Sequence, residues 1–251
     1  MMFGLEDRVA LVTGAGRGIG RAICLALASA GTRIVAVDIN FPLLSSLKKE
    51  VEDMGSPSCT FITDVSQRRQ VEEMVKNCIE TMGRLDILVN NAGINFLTPH
   101  YESIPEDEWD RVFAVNVKGP YFLISAAIEP MKRQKWGRII NIGSIAGKVG
   151  GPTSGIHYCA SKAALMCLTK NFARLLAPFG ITVNAVAPGL IDTDMTKGWP
   201  EQSKDKYIEL TPLGRLGRPE DIAGAVIYLA SDLAAYITGE VLDINRGNLM
   251  D

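Results

Sequence analysis

Histidine is scarce in this sequence, and its cysteines follow no regular spacing. The two histidines, His100 and His157, are not spaced like metal ligands, so no metal site is expected. The five cysteines include no CxxC pair. An odd number of irregularly spaced cysteines is typical of reduced thiols, which indicates a reducing compartment such as the cytoplasm.

Long apolar runs and charge of one sign are also absent. No segment approaches the roughly 20 consecutive apolar residues that span a bilayer, and residues 1–8 lack the apolar core of a signal peptide. The formal net charge is only −2 without a basic stripe, whereas nucleic-acid binding requires clustered lysine and arginine. We therefore expect a cytoplasmic protein whose partners include neither a membrane nor a nucleic acid.

Short apolar runs alternate along the chain with longer segments of helical periodicity. The runs are expected to be strands, at residues 9–12, 33–37, 59–62, 85–89, 138–142, 181–186 and 240–244. The principal helices are expected at residues 18–30, 67–82, 106–133, 156–177 and 219–230. Strands that are apolar throughout are buried on both faces. The alternation therefore predicts an α/β fold, a Rossmann-like doubly wound parallel sheet of seven strands with helices on both faces.

No linker rich in proline, glycine or serine divides the chain, so residues 1–251 are expected to form a single domain. One segment breaks the regular alternation. Residues 192–212 are polar, include Trp199 and Pro200, and follow the end of a predicted strand, which is typical of a substrate lid. A pair of surface helices without a catalytic part is the alternative interpretation.

A glycine-rich turn follows the first predicted strand and opens the first predicted helix. Its glycines, Gly14, Gly18 and Gly20, enclose Arg17 and Ile19 in a GxxxGxG pattern. Glycine permits a tight turn and a close approach of the backbone to a ligand, and a helix start attracts a pyrophosphate. Between a strand and a helix, such a turn indicates a dinucleotide site. A tight turn without a ligand is the alternative.

Asp38 closes the second predicted strand, eighteen residues after Gly20. At that place a carboxylate accepts hydrogen bonds from the adenosine ribose hydroxyls and repels a 2′-phosphate, so we expect NAD as the cofactor rather than NADP. Arg17 argues for NADP, since a cation beside the glycine turn favours a phosphate. The alternative role of Asp38 is to cap the following helix.

Three further residues suit proton transfer at a carbonyl group. Tyr158 and Lys162 share one face of a predicted helix, and Ser144 follows a strand end, where the ligand sites of parallel sheets lie. A tyrosine pKa of about 10 is too high for an efficient base at neutral pH, and a nearby ammonium lowers it. A serine hydroxyl can hold the substrate oxygen against the tyrosine. The set predicts hydride exchange between nicotinamide and a secondary alcohol or ketone.

Together, the glycine pattern, residues 90–93, Ser144, the Tyr158 and Lys162 pair, and residues 188–189 resemble the short-chain dehydrogenase/reductase family. The resemblance extends from about residue 8 to residue 247 and is closest to the 3-oxoacyl-[acyl carrier protein] reductase branch. Members of that branch usually prefer NADPH, which differs from the expectation drawn from the acidic residue at the end of the second strand.

The resemblance implies roles for individual residues. Tyr158 is the general acid/base, Lys162 lowers its pKa, and Ser144 positions the carbonyl. Asn116 holds a water that relays protons to Lys162, and a core residue that bends its helix is the alternative interpretation of Asn116. The expected cofactor contacts are Gly14, Arg17, Gly18, Ile19, Gly20, Asp38, Asp64, Val65, Asn90, Asn91, Ala92, Gly93, Tyr158, Lys162, Pro188, Gly189, Ile191 and Thr193.

Two classes of small-molecule substrate remain open. NAD is mostly oxidised in cells, so the first class is a small polar alcohol, polyol or sugar-like molecule. The second is a 3-oxoacyl thioester of acyl carrier protein or coenzyme A. A non-catalytic nucleotide-binding regulator is a third hypothesis, against which the presence of Ser144, Tyr158 and Lys162 argues. The resemblance also implies a homotetramer built on the helices at residues 106–133 and 156–177.

Overall fold

A computed structural model of the protein describes residues 3–96, 101–151, 154–197 and 201–250. Its centre is a sheet of seven parallel strands in the order β3-β2-β1-β4-β5-β6-β7. The strands are β1 (Val9–Thr13), β2 (Arg33–Asp38), β3 (Ser58–Ile62), β4 (Ile87–Asn90), β5 (Gly137–Ile142), β6 (Ile181–Pro188) and β7 (Val241–Ile244). The predicted doubly wound, seven-stranded parallel sheet is confirmed.

Helices connect successive strands and cover the sheet. They are α1 (Gly18–Ser29), α2 (Phe41–Asp53), α3 (Arg68–Met82), α4 (Glu106–Phe113), α5 (Gly119–Gln134), α6 (Ala146–Val149), α7 (Ile156–Leu176), α8 (Glu201–Glu209) and α9 (Pro219–Ala230). Short 3-10 turns lie at Tyr101–Ser103, Ala177–Phe179 and Asp232–Ala234. All five principal helices expected from the sequence are present, although the one expected at residues 106–133 is divided.

The two faces of the sheet carry separate hydrophobic cores. β1, β4, β5 and β6 are buried at every residue, whereas the edge strands β3 and β7 are partly exposed. On one face, α1, α2 and α9 pack through Leu27, Leu47 and Val226. On the other face, α3, α5 and α7 pack through Val75, Leu123 and Leu176. Burial of apolar side chains on both sides explains why the inner strands read as continuous apolar runs.

The helix α2 is an addition to the helices expected from the sequence. Asn40 caps its start, because the side-chain oxygen accepts a hydrogen bond of 3.2 Å from the Leu43 amide. Its apolar stripe is narrow, since three of its thirteen residues are buried. These three are Leu44, Leu47 and Val51.

The long helix expected at residues 106–133 is interrupted. A π-helical turn, Ala114–Lys118, separates α4 from α5 and contains Asn116. A π turn within an α-helix is an uncommon feature that occurs frequently at functional sites. It places the side chain of Asn116 over the carboxyl end of the sheet, where it contacts the loop after β4.

The strand order creates a crevice between β1 and β4. The chain leaves β3 at one edge and returns to β4 on the other side of β1, so the loops that follow β1 and β4 diverge. Ligands of open α/β sheets bind at such a point, outside the carboxyl ends of the strands. Among the described helices, none is long and apolar enough to cross a membrane.

Candidate active site

The turn between β1 and α1 packs so closely against the first turn of α1 that only glycine fits at position 20. Gly14 and Gly18 have left-handed backbones, with φ of 61° and 54°. A Cβ atom on Gly20 would collide with the carbonyl oxygen of Gly14. The start of α1, whose free amide groups attract anions, therefore lies directly against the end of β1. Ile19 packs partly buried against the core beneath α1.

Asp38, the last residue of β2, holds this turn in place. Its Oδ2 accepts a hydrogen bond of 2.9 Å from the Gly16 amide, and its Oδ1 accepts one of 3.0 Å from the Asn40 amide. The cap of α2 is Asn40, so the alternative interpretation of Asp38 as a helix cap is wrong. Gly16 is a site residue that the sequence analysis omitted, and the signal for it was the additional glycine within the turn.

The segment after β6 faces the glycine turn. Arg17 Nη1 lies 3.6 Å from Asp194 Oδ2, and the methyl group of Thr193 lies opposite Gly18. The side chain of Arg17 is 67% exposed, so this ion pair is weakened by solvent. The cation of Arg17 is nevertheless engaged by the segment that was expected to be a lid.

The residues after β4 brace the glycine turn from the other side. Asn91 Nδ2 donates hydrogen bonds to the carbonyl oxygens of Thr13 and Gly14, at 2.9 and 3.0 Å. The amides of Asn91 and Ala92 both donate to Thr13 Oγ1 at 3.1 Å. The side chain of Asn91 therefore fixes the geometry of the expected pyrophosphate site.

The side chain of Asn90 is buried between two strands of the sheet. It is 2% exposed, and its Nδ2 donates a hydrogen bond of 2.7 Å to Asn141 Oδ1 between β4 and β5. Asn141 in turn donates to Thr169 Oγ1 on α7 at 2.8 Å. The side chain of Asn90 is thus a structural link between β4 and β5, and the expected contact of this residue with the cofactor stays a prediction.

Asp64 and Val65 follow β3 in a loop that is fixed on both sides. Asp64 Oδ1 accepts hydrogen bonds from the Ser66 amide and hydroxyl at 3.0 and 2.7 Å, and Oδ2 lies 3.3 Å from Arg111 Nη1. Partial burial favours a higher pKa of the Asp64 carboxyl, but Ser66 and Arg111 outweigh it and hold the pKa below its usual value. Val65 is buried against Gly119 at the start of α5.

Ser144, Tyr158 and Lys162 meet at the carboxyl end of β5. Tyr158 and Lys162 lie one turn apart on α7 and are 9% and 4% exposed. The phenol is hydrogen-bonded to Ser144, whose Oγ also accepts a hydrogen bond of 3.1 Å from the Ala146 amide. Lys162 Nζ donates to the Ile142 carbonyl oxygen at 2.7 Å and lies 5.7 Å from the centre of the Tyr158 ring. The structure therefore brings the three expected catalytic side chains together.

Burial dominates the electrostatics of Tyr158 and Lys162. It raises the pKa of Tyr158 to about 12, and the hydrogen bond with Ser144 offsets part of that rise. It lowers the pKa of Lys162 to about 8. The net shift of the Tyr158 pKa is upward, because the loss of hydration on burial outweighs the hydrogen bond with Ser144. The effect expected of Lys162 on the Tyr158 pKa stays a prediction. At neutral pH Tyr158 is a protonated phenol and can act as a proton donor.

Asn116 uses its whole side-chain amide within the protein. Its Oδ1 accepts a hydrogen bond of 2.9 Å from the Ile94 amide, and its Nδ2 donates to the Ile94 carbonyl oxygen and to Ser161 Oγ, at 2.9 and 3.0 Å. These contacts favour the alternative of a buried structural residue over a side chain that holds a relay water. Gly93 lies between Asn116 and Lys162, since a Cβ atom there would be 3.4 Å from both Oδ1 and Nζ.

The resulting cleft fits a nicotinamide dinucleotide. The glycine turn leaves room for a pyrophosphate at the start of α1, Asp38 lies where a ribose would bind, and Gly93 leaves the approach to Lys162 open. When bound, such a cofactor supplies or accepts the hydride. In the part of the chain that the structure describes, no group of three or more His, Cys, Asp or Glu side chains could hold a metal ion.

Comparisons with known proteins identify the family. A family model described as enoyl-(acyl carrier protein) reductase matches residues 14–248. A 3-oxoacyl-[acyl-carrier-protein] reductase FabG of Thermotoga maritima is 40% identical over 97% of this chain and 98% of its own length. The protein of the same name from Staphylococcus epidermidis is 42% identical over 97% of this chain and 100% of its own. The chain belongs to the short-chain dehydrogenase/reductase family.

Solved structures agree with this assignment. A short-chain type dehydrogenase/reductase from Mycobacterium marinum superposes with a TM-score of 0.93 at 35% identity, covering 100% of this chain and 98% of that chain. The resemblance expected from the sequence motifs is thereby confirmed. As a short-chain dehydrogenase/reductase, the protein is an oxidoreductase that acts on CH–OH or keto groups with a nicotinamide cofactor.

In this dehydrogenase/reductase the loop after β6 is held from two sides. The Pro188 carbonyl oxygen accepts a hydrogen bond of 3.0 Å from the Ile145 amide, and the Gly189 amide donates to the Ile244 carbonyl oxygen at 3.1 Å. Ile191 is 5% exposed and packs against the core under α1 and α9. The loop expected to contact nicotinamide is therefore tied to the residue that follows Ser144.

Within residues 192–212, the structure describes a turn that ends at residue 197 and the helix α8. The Tyr207 hydroxyl on α8 accepts a hydrogen bond of 3.0 Å from the Leu190 amide, and burial raises the pKa of Tyr207. Tyr207 is a second residue that the sequence analysis omitted, because nothing in its spacing connects it to the loop after β6. Trp199 and Pro200, which the sequence placed in the lid, lie outside the described residues.

Proposed function

We propose that the protein is an NADH-dependent reductase of 3-oxoacyl thioesters. The observation that carries the proposal is the group of Ser144, Tyr158 and Lys162 at the carboxyl end of β5, in which the tyrosine and the lysine are buried. The choice of substrate is supported by relatives, similar over nearly their full length, that are named 3-oxoacyl-[acyl-carrier-protein] reductases. The thioester, which the sequence ranked second, therefore takes precedence over the small polar alcohol.

The proposed step is a proton transfer coupled to hydride transfer. A bound dihydronicotinamide would supply the hydride for the carbonyl carbon. Tyr158 donates its phenolic proton to the carbonyl oxygen. The Ser144 hydroxyl holds that oxygen against the phenol. Burial raises the pKa of Tyr158, so the proton stays on the phenol until the oxygen becomes basic. The Lys162 ammonium, one turn away, then stabilises the phenolate that remains.

The first test is NADH oxidation with acetoacetyl-coenzyme A as the acceptor. We expect turnover in the usual range for enzymes, about 1 to 10³ s⁻¹, measured as the loss of NADH absorbance. The matched control is the Tyr158→Phe variant, which removes the proton donor. If the protein binds NADH, leaves the thioester unchanged and oxidises polyols or hydroxy acids with NAD, the small-alcohol alternative replaces the thioester.

The choice of NADH depends on the fixed carboxylate of Asp38. The Gly16 and Asn40 amides hold both of its oxygens beside the glycine turn, and the two residues that follow Asp38 are uncharged. Arg17, which could attract a 2′-phosphate, lies 3.6 Å from Asp194 in an exposed ion pair that holds it only weakly. A dianionic phosphate next to this carboxylate would be repelled, whereas ribose hydroxyls can donate hydrogen bonds to it.

We expect the Asp38→Asn variant to bind NADPH at least about tenfold more tightly than wild type, which corresponds to about 1.4 kcal/mol. Asparagine removes the negative charge but keeps an oxygen that can accept the Gly16 amide. Fluorescence titration with NADH and NADPH measures both dissociation constants. The Asn40→Ala variant is the control, because it removes the cap of α2 without changing the charge. An unchanged cofactor preference in Asp38→Asn would show that Asp38 does not face the ribose.

We further propose that residues 192–212 form the substrate lid of a single dinucleotide-binding and catalytic domain spanning residues 1–251. Two contacts support a lid that closes on the cofactor site. Asp194 meets Arg17 of the glycine turn, and Tyr207 of α8 binds the Leu190 amide. A lid connected to both the phosphate end and the nicotinamide end would exclude water from the reacting groups.

We propose a homotetramer that assembles through α5 and α7. Large apolar side chains are exposed on these helices, namely Tyr121 on α5 and Leu175 on α7, and Phe179 follows α7 closely. Exposed apolar surface of this kind is typical of subunit contacts. The five cysteines, all within the described residues, are unpaired thiols, which supports the proposed cytoplasmic location.

A further inference from the structure

His157, the residue directly before Tyr158, is completely buried at the start of α7. Its ring stacks on Phe96 with ring centres 6.2 Å apart and on Trp109 with ring centres 5.9 Å apart. Phe96 belongs to the loop after β4, and Trp109 belongs to α4. One imidazole therefore connects three separate segments at the point where the helix that bears Tyr158 begins.

The imidazole also has a charged neighbour. His157 Nε2 lies 3.1 Å from Glu108 Oε1 on α4, close enough for a hydrogen bond although not aligned for a linear one. The Glu108 side chain is 21% exposed while the imidazole is fully enclosed, so water screens the contact only from one side. A carboxylate accepts from an imidazole nitrogen only when that nitrogen carries a proton, so the contact holds the ring when a proton is on Nε2.

Little space remains around the first turn of α7. A Cβ atom on Gly155 would collide with the His157 ring and would lie 2.9 Å from the Phe96 carbonyl oxygen. Successive residues of an α-helix point about 100° apart, so His157 and Tyr158 face different neighbours. Holding the His157 ring therefore fixes the rotation of this turn about the helix axis, and with it the position of the phenol oxygen.

We infer that His157 is a positioning residue for Tyr158 and that Glu108 is its anchor on α4. The inference rests on the proposed catalytic role of Tyr158. Neither side chain touches the reacting groups, so their effect is on the alignment of the phenol with the substrate oxygen. Misplacing a reacting group by about 1 Å can cost roughly 100-fold in rate, whereas binding of substrate and cofactor is affected much less.

The same α4 segment leads into the π turn that fixes the loop after β4. Asn116 in that turn binds both backbone groups of Ile94, two residues before Phe96. The loop is thus held at Ile94 by an amide and at Phe96 by the imidazole. A histidine suits the position before Tyr158 because its ring packs like an aromatic residue and also carries a polar contact to α4.

The test compares variants that separate packing from the polar contact. His157→Phe keeps an aromatic ring between Phe96 and Trp109 but loses the contact with Glu108, which Glu108→Leu removes from the other side. Each is expected to lower kcat with acetoacetyl-coenzyme A at least about tenfold, with KM and the NADH dissociation constant within about twofold of wild type. Glu108→Gln keeps an acceptor and is expected to retain kcat within about threefold.

A combined His157→Phe and Glu108→Leu variant is expected to be no slower than the slower single variant, because both remove one shared contact. A deuterium isotope effect on hydride transfer that rises in the slow variants would support misalignment of the chemical step. A kcat within about twofold of wild type for both single variants, or a rise in KM as large as the fall in kcat, would overturn the inference.

The proposed function and the positioning inference fail in different ways. If Tyr158→Phe still reduces acetoacetyl-coenzyme A, the proposed proton-donor role of Tyr158 is wrong. If Tyr158→Phe is inactive while the His157 and Glu108 variants keep normal kcat, only the positioning inference falls. Glu108 is partly exposed, so its two variants decide the question even if His157→Phe does not fold.

Discussion

The Tyr158→Phe variant is expected to lose about 10²- to 10⁴-fold in kcat for ketone reduction while binding NADH as tightly as wild type. Phenylalanine keeps the ring buried against the same neighbours and removes only the hydroxyl that is hydrogen-bonded to Ser144. Single-turnover oxidation of bound NADH by acetoacetyl-coenzyme A measures the chemical step, and fluorescence titration measures binding.

No neighbouring group can readily replace the lost hydroxyl. Lys162 Nζ is directed at the Ile142 carbonyl oxygen and lies 5.7 Å from the centre of the Tyr158 ring. The Ser144→Ala variant is the matched control, since it removes the hydroxyl that holds the substrate oxygen but leaves the proton donor, and it should lose less activity than Tyr158→Phe. Turnover by Tyr158→Phe within a few-fold of wild type would contradict the assigned proton donor.

The strands could be predicted because the inner ones are buried on both faces. All five residues of β1 are buried, and the first four are a continuous apolar run. The helix α2 could not be recognised in the same way, because Leu44, Leu47 and Val51 alone face the core and the remaining residues resemble a polar connection. A strand or helix can therefore be recognised from the sequence when most of its residues are buried, but not when only a narrow stripe of it is.

The motifs located the site residues but not the partners of their side chains. Asn90 and Asn91 are adjacent, yet Asn90 binds Asn141 inside the sheet and Asn91 binds the glycine turn. Successive residues at the end of a strand point to opposite sides, so one position of register decides which asparagine faces the cleft. The sequence contains both residues, whereas their directions follow from the register of β4 with β5.

The electrostatic environment of Tyr158 also could not be predicted from the spacing of residues along the sequence. A lysine one turn away predicts a lowered tyrosine pKa, but the structure encloses both groups, and burial shifts the pKa of Tyr158 upward and that of Lys162 downward. Loss of hydration depends on every element packed around the pair rather than on their separation along the chain. With a raised pKa, the Tyr158 phenol is protonated at neutral pH, the form in which it can donate a proton to a carbonyl oxygen.

The Asp86→Ala variant is expected to destabilise the fold by about 3 kcal/mol. Asp86 is fully buried just before β4, where its carboxylate accepts hydrogen bonds from the Val9 amide at 2.9 Å, from Arg8 at 3.2 Å, and from Arg84 at 2.6 and 2.7 Å. Alanine would leave the Val9 amide without its acceptor in the core. The two arginines are 24% and 41% exposed and can regain water, which keeps the loss at the lower end for a broken buried ion pair.

Urea unfolding at one fixed protein concentration measures this loss, because assembly would otherwise change the apparent stability. The Asp86→Asn variant is the control: it keeps an acceptor for the Val9 amide and removes only the charge, so its loss should be smaller. Asp86 lies at the amino edge of the sheet, whereas Tyr158 lies at the carboxyl edge, and folded Asp86→Ala should bind NADH normally. A loss below about 1 kcal/mol would show that the arginines and the Val9 amide find other partners, and that the carboxylate does not hold β1 and β4 together.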